Sequence, residues 1–347
     1  MTFGINGFGR IGRTALRVWY QRNRDKGDLL AVNTSGSMDL SGWVHLLKYD
    51  SNYGVWNEQI QIDEHQKAKD ATDVDPLLGT LTIGGKQIKV FAQRDPAKIP
   101  WGSSGVETVI ESTGAFTSQD KASLHLTGGA KRVVISAPAK GEGINTYVVG
   151  VNADKRAADA NAVISNASCT TNCVAPVAAV MHSTFGVKKA MMTTVHAYTD
   201  DQNLQDNSHR DLRRSRSAAR NIVPTTTGAA IAVTETIPEL KGLFDGLSLR
   251  VPVSVGSISD MVFVTSRPTT VEEVNRALVD ATQNPRWQGI LSATSDQIVS
   301  SDIVGRPESS IVDLSLTQVV GGDLVKVVSW YDNEWGYCCR LVEQALQ

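Results

Sequence analysis

The opening stretch constrains this chain more than any other. A short apolar segment, TFGIN, runs directly into Gly7, Gly9 and Gly12 of GFGRIG, and then into RTALRVWYQR, where apolar residues recur at helical spacing. Strand, GxGxxG turn and helix in that order are the first unit of a dinucleotide-binding domain: the glycines permit a tight turn and a close backbone approach, and the helix start points N–H groups at a pyrophosphate. Arg10, inside the turn, adds a cation beside such a ligand. A glycine-rich turn without a ligand is the plain alternative, and the flanking strand and helix argue against it.

The chain up to residue 165 continues in the same style. LLAVN (Leu29–Asn33), VETVIESTGAF from Val106, KRVVISAP from Lys131, NTYVVGVN and NAVISNAS read as short buried strands, and TLTIGGKQIKVF as a hairpin around Gly84 and Gly85. HLLKYDSNYG reads as a helix ending in a turn, and EHQKAKDATDVDP as a solvated surface excursion. Strands alternating with helical stretches predict an α/β, Rossmann-type doubly wound, mostly parallel sheet. NAD-binding sheets place a carboxylate at the tip of the second strand, against the ribose 2′-hydroxyl. Here Asp28 precedes that strand, and Asn33, Thr34, Ser35, Gly36 and Ser37 follow along its tip. Hydroxyls there can accommodate a 2′-phosphate that a carboxylate would repel, so NADP acceptance is expected; the alternative is that Asn33 and backbone groups hold an ordinary ribose.

A second pattern begins after Cys169. KKAMMTTVHAYT, AAIAVTETI, LSLRVPVSVGSISDMVFVTS and DLVKVVSWYD suggest a larger mixed or antiparallel sheet, hence a second α+β domain, which 347 residues can accommodate. Lys+Arg of 34 against Asp+Glu of 36 leaves a formal charge of −2, so no global field attracts nucleic acid or an anionic membrane. The arginine run from His209 to Arg220 lacks the interleaved aromatics of a nucleic-acid surface. It reads either as a solvated helix face or, since arginine binds phosphate oxygens in pairs, as an anion site. Four cysteines, two of them adjacent, make a poor disulfide framework, and no apolar run approaches the roughly 20 residues that span a bilayer. A reducing cytoplasm is expected.

The chemistry concentrates at SNASCTTNC, Ser165 to Cys173. Ser168, Thr170, Thr171 and Asn172 are residue types that cap helices, and VAPVAAVM follows with helical character. A thiol at such a start meets unpaired N–H groups and the positive end of the helix dipole, which favours thiolate and makes Cys169 a candidate nucleophile. The competing reading is a buried small hydrophobe. Cys173 does not complete a metal or redox pair, because CxxxC lacks both the usual spacing and a second ligand pair, and no metal site is expected. Pro176 implies that the helix starts late or bends there. His196, in TTVHAYTDDQ, is the candidate base, with a structural histidine as the alternative.

Taken together, GINGFGRIGR, HLLKYDS, ESTGAF, SNASCTTNC, HAYTDDQ, DLRR, PTTTGAA, LRVP and SWYDNEWGY resemble the glyceraldehyde-3-phosphate dehydrogenases, in order and over essentially the whole chain. The resemblance implies that Cys169 adds to the aldehyde, that His196 takes its proton and steadies the oxyanion, and that a thioester is then cleaved by inorganic phosphate to an acyl phosphate. It implies a site for the substrate's own phosphate at Thr199, Asp201 and Arg250. A site for the attacking phosphate is implied at Ser168, Thr170, Thr227 and Gly228, with Arg214 nearby. Cofactor contacts are implied at Arg10, Ile11, Arg94, Thr113, Gly114, Phe116, Ser136 and Asn333, with Tyr337 beside the nicotinamide. It also implies a homotetramer and a C-terminal helix that returns to the cofactor domain. The expected division is therefore 1–168 with 332–347, and 169–331 for catalysis and oligomerisation.

Two departures from the family pattern bear on the cofactor. Asn33-Thr34 stands where most NAD-specific members have Asn-Asp, and Asn207-Ser208 where many have Leu-Pro. Photosynthetic members that accept NADP also carry Ser at the position of Ser208, so use of both NAD and NADP is expected. Two other readings are an erythrose-4-phosphate dehydrogenase, which hydrolyses its thioester, and a nucleotide-binding regulator without catalysis. HAYTDDQ and PTTTGAA favour the phosphorylating enzyme over the first, and intact Cys169 and His196 over the second.

Overall fold

The computed structural model describes residues 1–158 and 160–347, which divide into two compact units. One comprises Met1–Thr146, Asp159–Asn166 and Cys338–Gln347; the other comprises Tyr147–Ala158 and Ala167–Tyr337. The expected boundaries assign Tyr147–Ala158, residues 167–168 and residues 332–337 to the first unit, whereas the structure gives all three to the second. The cause is visible at Val148 and Val151, which are buried in the second unit's core with Phe185, Trp287 and Ile290. Arg286 also donates to the carbonyls of Gly150 and Val151.

The first unit is built on a nine-stranded sheet. From one edge its strands are Asn145–Thr146, Val163–Ser165, Arg132–Ile135, Thr108–Glu111, Thr2–Asn6, Asp28–Thr34, Lys86–Ala92, Leu77–Ile83 and Ile60–Glu64. The first seven are mutually parallel, and the last two add the expected hairpin and an antiparallel edge. Central strands such as Thr108–Glu111 are buried at every residue, which is why they read as unbroken apolar runs. In register, Asn6 pairs with Asn33 on one side and with Glu111 on the other, so three polar side chains align at the C-terminal strand ends.

The second unit holds an eight-stranded mixed sheet. Its order is Val223–Thr226, Phe244–Val251, Val187–Ala197, Ser257–Thr265, Leu324–Tyr331, Ser310–Asp313 and Leu291–Thr294, with Gln318–Val320 beside Leu324–Tyr331. Helices Cys169–Phe185, Ala229–Thr236 and Val271–Thr282 pack on one face around Met181, Met192, Phe263 and Leu278. AAIAVTETI is one of these helices rather than a strand: Ala229, Ala230, Ala232, Val233 and Thr236 are its buried residues, a helical period that its β-branched composition masked. The arginine run from His209 to Arg220 forms turns and bends, not a helix face. The opposite face of the sheet carries Met191 (66% exposed) and Leu247 (44% exposed) beside Val262. No helix among the described residues is long and apolar enough to cross a membrane.

Candidate active site

The cysteine helix starts at Cys169 and passes through Pro176 to Phe185, so it does not start late. Ser168 is its cap, with Oγ accepting the Thr171 N–H at 3.0 Å, a contact that stabilises a helix by about 1 kcal/mol. Cys169 keeps part of its surface accessible, whereas Cys173, one turn later, is fully buried and its thiol is pushed by burial up to about 12. Cys169 Sγ lies 3.3 Å from His196 Nε2. His196 ends strand Val187–Ala197 and stands opposite Arg250 in the parallel pairing with Phe244–Val251.

The imidazole has a definite arrangement. Nδ1 is 2.7 Å from the Ala197 carbonyl oxygen and 2.9 Å from Arg250 Nη1. Arg250 Nη1 has acceptors of its own in that carbonyl and in Thr199 Oγ1, at 3.3 and 3.1 Å. The assignment that satisfies these donors puts the ring proton on Nδ1, donated to Ala197, and leaves the Nε2 lone pair facing the thiol. Burial, and after it the charge of Arg250, push His196 down to about 3. Burial likewise raises the Cys169 thiol, and Arg250 with the Thr170 N–H and hydroxyl only partly offsets it. Burial of both groups thus works against the thiolate that the helix start and Arg250 favour.

Around this pair the anion-site candidates fall into two groups. Arg250 donates to Thr199, Thr199 Oγ1 donates to Asp201, and Arg214 pairs with Asp201 while its Nε donates to Thr225 Oγ1 at 2.9 Å. Burial would lift the Asp201 carboxyl, but Thr199, Arg214 and Arg250 hold it below the usual carboxylate range. Arg250 Nε is buried without a hydrogen-bond partner, a donor suited to an anion. Thr227 and Gly228 stand at the start of helix Ala229–Thr236, which has no acidic residue in its first turn, and a side chain at Gly228 would meet open space. Thr170 differs from the expectation. It is 4% exposed and its Oγ1 lies 2.8 Å from Tyr331 Oη, so its hydroxyl faces the interior rather than a phosphate. Tyr331 Oη also meets Thr194 Oγ1 at 2.8 Å, and its ring sits edge-on to His196. Sequence reasoning missed Tyr331, which carries no local signal.

In the first unit, the residues expected to bind a dinucleotide gather at the C-terminal strand ends. Gly7 has φ +92°, and a side chain there would strike Thr113; one at Gly12 would strike the Gly7 carbonyl; one at Gly9 would meet nothing. The helix from Arg10 to Arg22 has no side-chain cap and no acidic residue in its first turn, so its leading N–H groups suit an external pyrophosphate. Ile11, Gly114, Phe116 and Ser136 keep partial or full exposure, and Arg94 is exposed. Arg10 pairs with Asp50 at 2.5 Å, which HLLKYDS did not suggest. Two candidates are corrected as side-chain ligands. Asn33 is 3% exposed, donates to Asn6 Oδ1 and exchanges hydrogen bonds with the Gln93 backbone, and Thr34 Oγ1 donates to the Phe91 carbonyl while accepting the Gly36 N–H. The exposed hydroxyls at this strand tip are Ser35 and Ser37, 3.0 Å apart, and Ser37 lines a cavity of about 530 Å³ with Asp39, Lys67 and Lys69.

Asn333 and Tyr337 belong to the second unit. Asn333 Oδ1 accepts from the Gly256 N–H and the Ser257 hydroxyl, both at 3.0 Å, which orients the amide NH2 away from them. Tyr337 Oη donates to the Ala167 carbonyl. Ser208 is exposed in the loop that carries the arginines.

Comparison with known proteins places these features in a family context. The model of the glyceraldehyde 3-phosphate dehydrogenase NAD binding domain matches residues 1–119, and that of the same enzyme's C-terminal domain matches residues 168–333. Glyceraldehyde-3-phosphate dehydrogenase 2 of Streptomyces avermitilis is 52% identical over 340 residues, covering 98% of this chain and 96% of the relative. The Streptomyces coelicolor glyceraldehyde-3-phosphate dehydrogenase is 51% identical over 340 residues, with the same coverage. The chloroplastic glyceraldehyde-3-phosphate dehydrogenase A of Zea mays is 48% identical over 343 residues, covering 98% of this chain and 80% of the relative.

Proposed function

The chain belongs to the glyceraldehyde-3-phosphate dehydrogenase family, an oxidoreductase that acts on glyceraldehyde 3-phosphate with NAD(P), and on that premise we propose how its own residues divide the work. The observation that carries the proposal is the Cys169 Sγ–His196 Nε2 approach of 3.3 Å, with Arg250 on the other ring nitrogen. Sulfur adds to the aldehyde carbon as the thiol proton passes to Nε2. The imidazolium then stands beside the new alkoxide, and Nδ1–H remains held by the Ala197 carbonyl. The bound nicotinamide supplies the two-electron acceptor for the hydride that leaves this carbon. The product on Cys169 is a thioester. Inorganic phosphate, held near Ser168, Thr227 and Gly228, attacks it, releasing 1,3-bisphosphoglycerate and restoring the thiol with the proton from His196. The substrate's own phosphate is held by Arg250 and Thr199, with Asp201 and Arg214 behind them.

We assign both NAD and NADP as acceptors. The absence of a carboxylate at the tip of Asp28–Thr34, the exposed Ser35 and Ser37, and Ser208 support this reading. A homotetramer is supported by the exposed apolar strip of Met191 and Leu247, and a cytoplasmic setting by four free cysteines, one of which must stay reduced to act. Initial rates with NAD and NADP side by side, each with and without phosphate, test the assignment. Acyl phosphate should appear only with phosphate present, and both cofactors should turn over. An advantage for NAD of about a hundredfold, roughly 2.7 kcal/mol, would overturn the dual use.

A further inference from the structure

Beneath the glycine turn lies a group of buried polar side chains that the chemistry above does not use. Glu111 is 1% exposed and His125 is fully buried. Glu111 accepts four hydrogen bonds: Oε1 takes the Thr113 N–H at 2.8 Å and the Thr113 hydroxyl, and Oε2 takes Asn6 Nδ2 at 2.5 Å and His125 Nε2 at 3.0 Å. The Trp101 indole N–H lies 3.1 Å from His125 Nδ1. An indole can only donate, so Nδ1 must accept and the proton must sit on Nε2, pointing at Glu111. The histidine is therefore neutral, and Glu111 is a carboxylate surrounded by uncharged donors.

The network extends sideways across adjacent strand ends. Asn6 Oδ1 accepts from Asn33 Nδ2 at 2.8 Å, and Asn33 is locked by the Gln93 backbone through both of its amide atoms. Glu111, Asn6, Asn33 and Gln93 thus bridge the ends of four consecutive strands, Thr108–Glu111, Thr2–Asn6, Asp28–Thr34 and Lys86–Ala92. Two of those ends carry the loops that face the dinucleotide: Asn6 leads into Gly7, and Glu111 into Ser112 and Thr113. Ser112 Oγ donates to the Asn6 and Gly7 carbonyls at 2.9 and 2.8 Å, and Thr113 packs against the Cα of Gly7 closely enough to exclude a side chain there. Every bond in the row has a fixed direction. Asn6 cannot flip without facing the amide of Asn33, and Asn33 cannot flip without facing the Gln93 backbone.

We propose that Glu111, held by His125, is a positioning residue for the dinucleotide, joining the glycine turn, the Ser112–Thr113 loop and the ribose-side strand into one pre-set surface. This rests on the reading of the first unit as the cofactor domain. Glu111→Gln conserves shape but removes acceptors: the new NH2 must face the Thr113 N–H, or else the Asn6 NH2 and the His125 N–H, all donors. The swap Asn6→Asp with Glu111→Gln restores an acceptor between the two positions and keeps the single negative charge.

The test is calorimetric titration of the full-length protein with ADP-ribose, which needs no turnover, alongside the rate of Cys169 alkylation by iodoacetamide without cofactor. Glu111→Gln is expected to weaken ADP-ribose binding about tenfold or more, equivalent to about 1.4 kcal/mol. Alkylation should stay at the wild-type rate, and the swap should recover a substantial part of the loss. Binding by Glu111→Gln within about twofold of wild type overturns the proposal. So does a parallel fall in alkylation, or a swap that recovers nothing, since either makes the network a general stability element. Failure of the wild-type protein to bind ADP-ribose would instead sink the cofactor-domain reading.

Discussion

The hydroxyl of Tyr337 donates to the carbonyl of Ala167 at 3.0 Å, and Ala167 is the non-glycine residue with a left-handed backbone among the described residues, at φ +57°. Ala167 lies two positions before Cys169, where the chain leaves strand Val163–Ser165 and enters the cysteine helix. A left-handed alanine costs about 1–2 kcal/mol, so the turn that aims the nucleophile is held against its own preference.

Ala167→Gly removes that strain while loosening the unfolded chain by about 0.5–1 kcal/mol. The melting temperature should hold or rise slightly while kcat falls. Tyr337→Phe, which strips the carbonyl of its donor, should cost about 1 kcal/mol of stability. Thermal melts and kcat for both variants check this; a clear loss of stability in Ala167→Gly would show that the turn is unstrained.

His196 makes stability pH-dependent. Its folded value of about 3 lies below the ordinary 6.5. Between those limits the unfolded chain binds a proton that the folded site refuses, so this contribution is complete above about pH 6.5 and is lost as pH falls toward 3. Denaturant melts between pH 5 and pH 7.5, about the range where the unfolded imidazole titrates, should show a shallower slope for His196→Asn than for wild type. The same variant should lose roughly 10²–10⁴ in kcat.

Two threonines of the expected phosphate site should behave differently. Thr227→Val is expected to raise the KM for inorganic phosphate with little effect on folding. Thr170→Val leaves the buried Tyr331 hydroxyl with Thr194 Oγ1 as its remaining partner, costing about 1 kcal/mol of stability, with the phosphate KM near wild type. Phosphate-saturation kinetics and melts on both variants decide the matter, and a large KM effect at Thr170 would return it to the anion site.

The apolar strip on the open sheet face gives a prediction about assembly. Leu247→Glu, with or without Met191→Glu, should shift the protein to smaller oligomers in multi-angle light scattering, because a charge buried in an interface without a partner is strongly disfavoured. An unchanged mass would place the interface elsewhere.

Much of this was legible in the chain because scarce residues sit in short runs: three glycines between a strand and a helix, a cysteine among hydroxyls, a histidine at a strand end. The facing of individual side chains was not. Ser168 and Thr170 look alike in sequence, yet one caps a helix and the other meets Tyr331, 161 positions later. Thr34 reads as a ligand group by position, yet its hydroxyl is engaged by the Phe91 carbonyl of the neighbouring strand and by the Gly36 N–H. Glu111 and His125 carry no motif meaning apart; fourteen residues separate them, and the short helix Leu124–Thr127 brings the imidazole back to the carboxylate at the end of strand Thr108–Glu111. AAIAVTETI misleads because β-branched residues suit strands, while burial against the cysteine helix decides for helix.

The burial of Cys173, Cys338 and Cys339 leaves Cys169 as the accessible thiol among the described residues. A gentle thiol reagent therefore reads one event per polypeptide, and the fraction of chains that react is a census of working sites in any preparation, before a substrate is added.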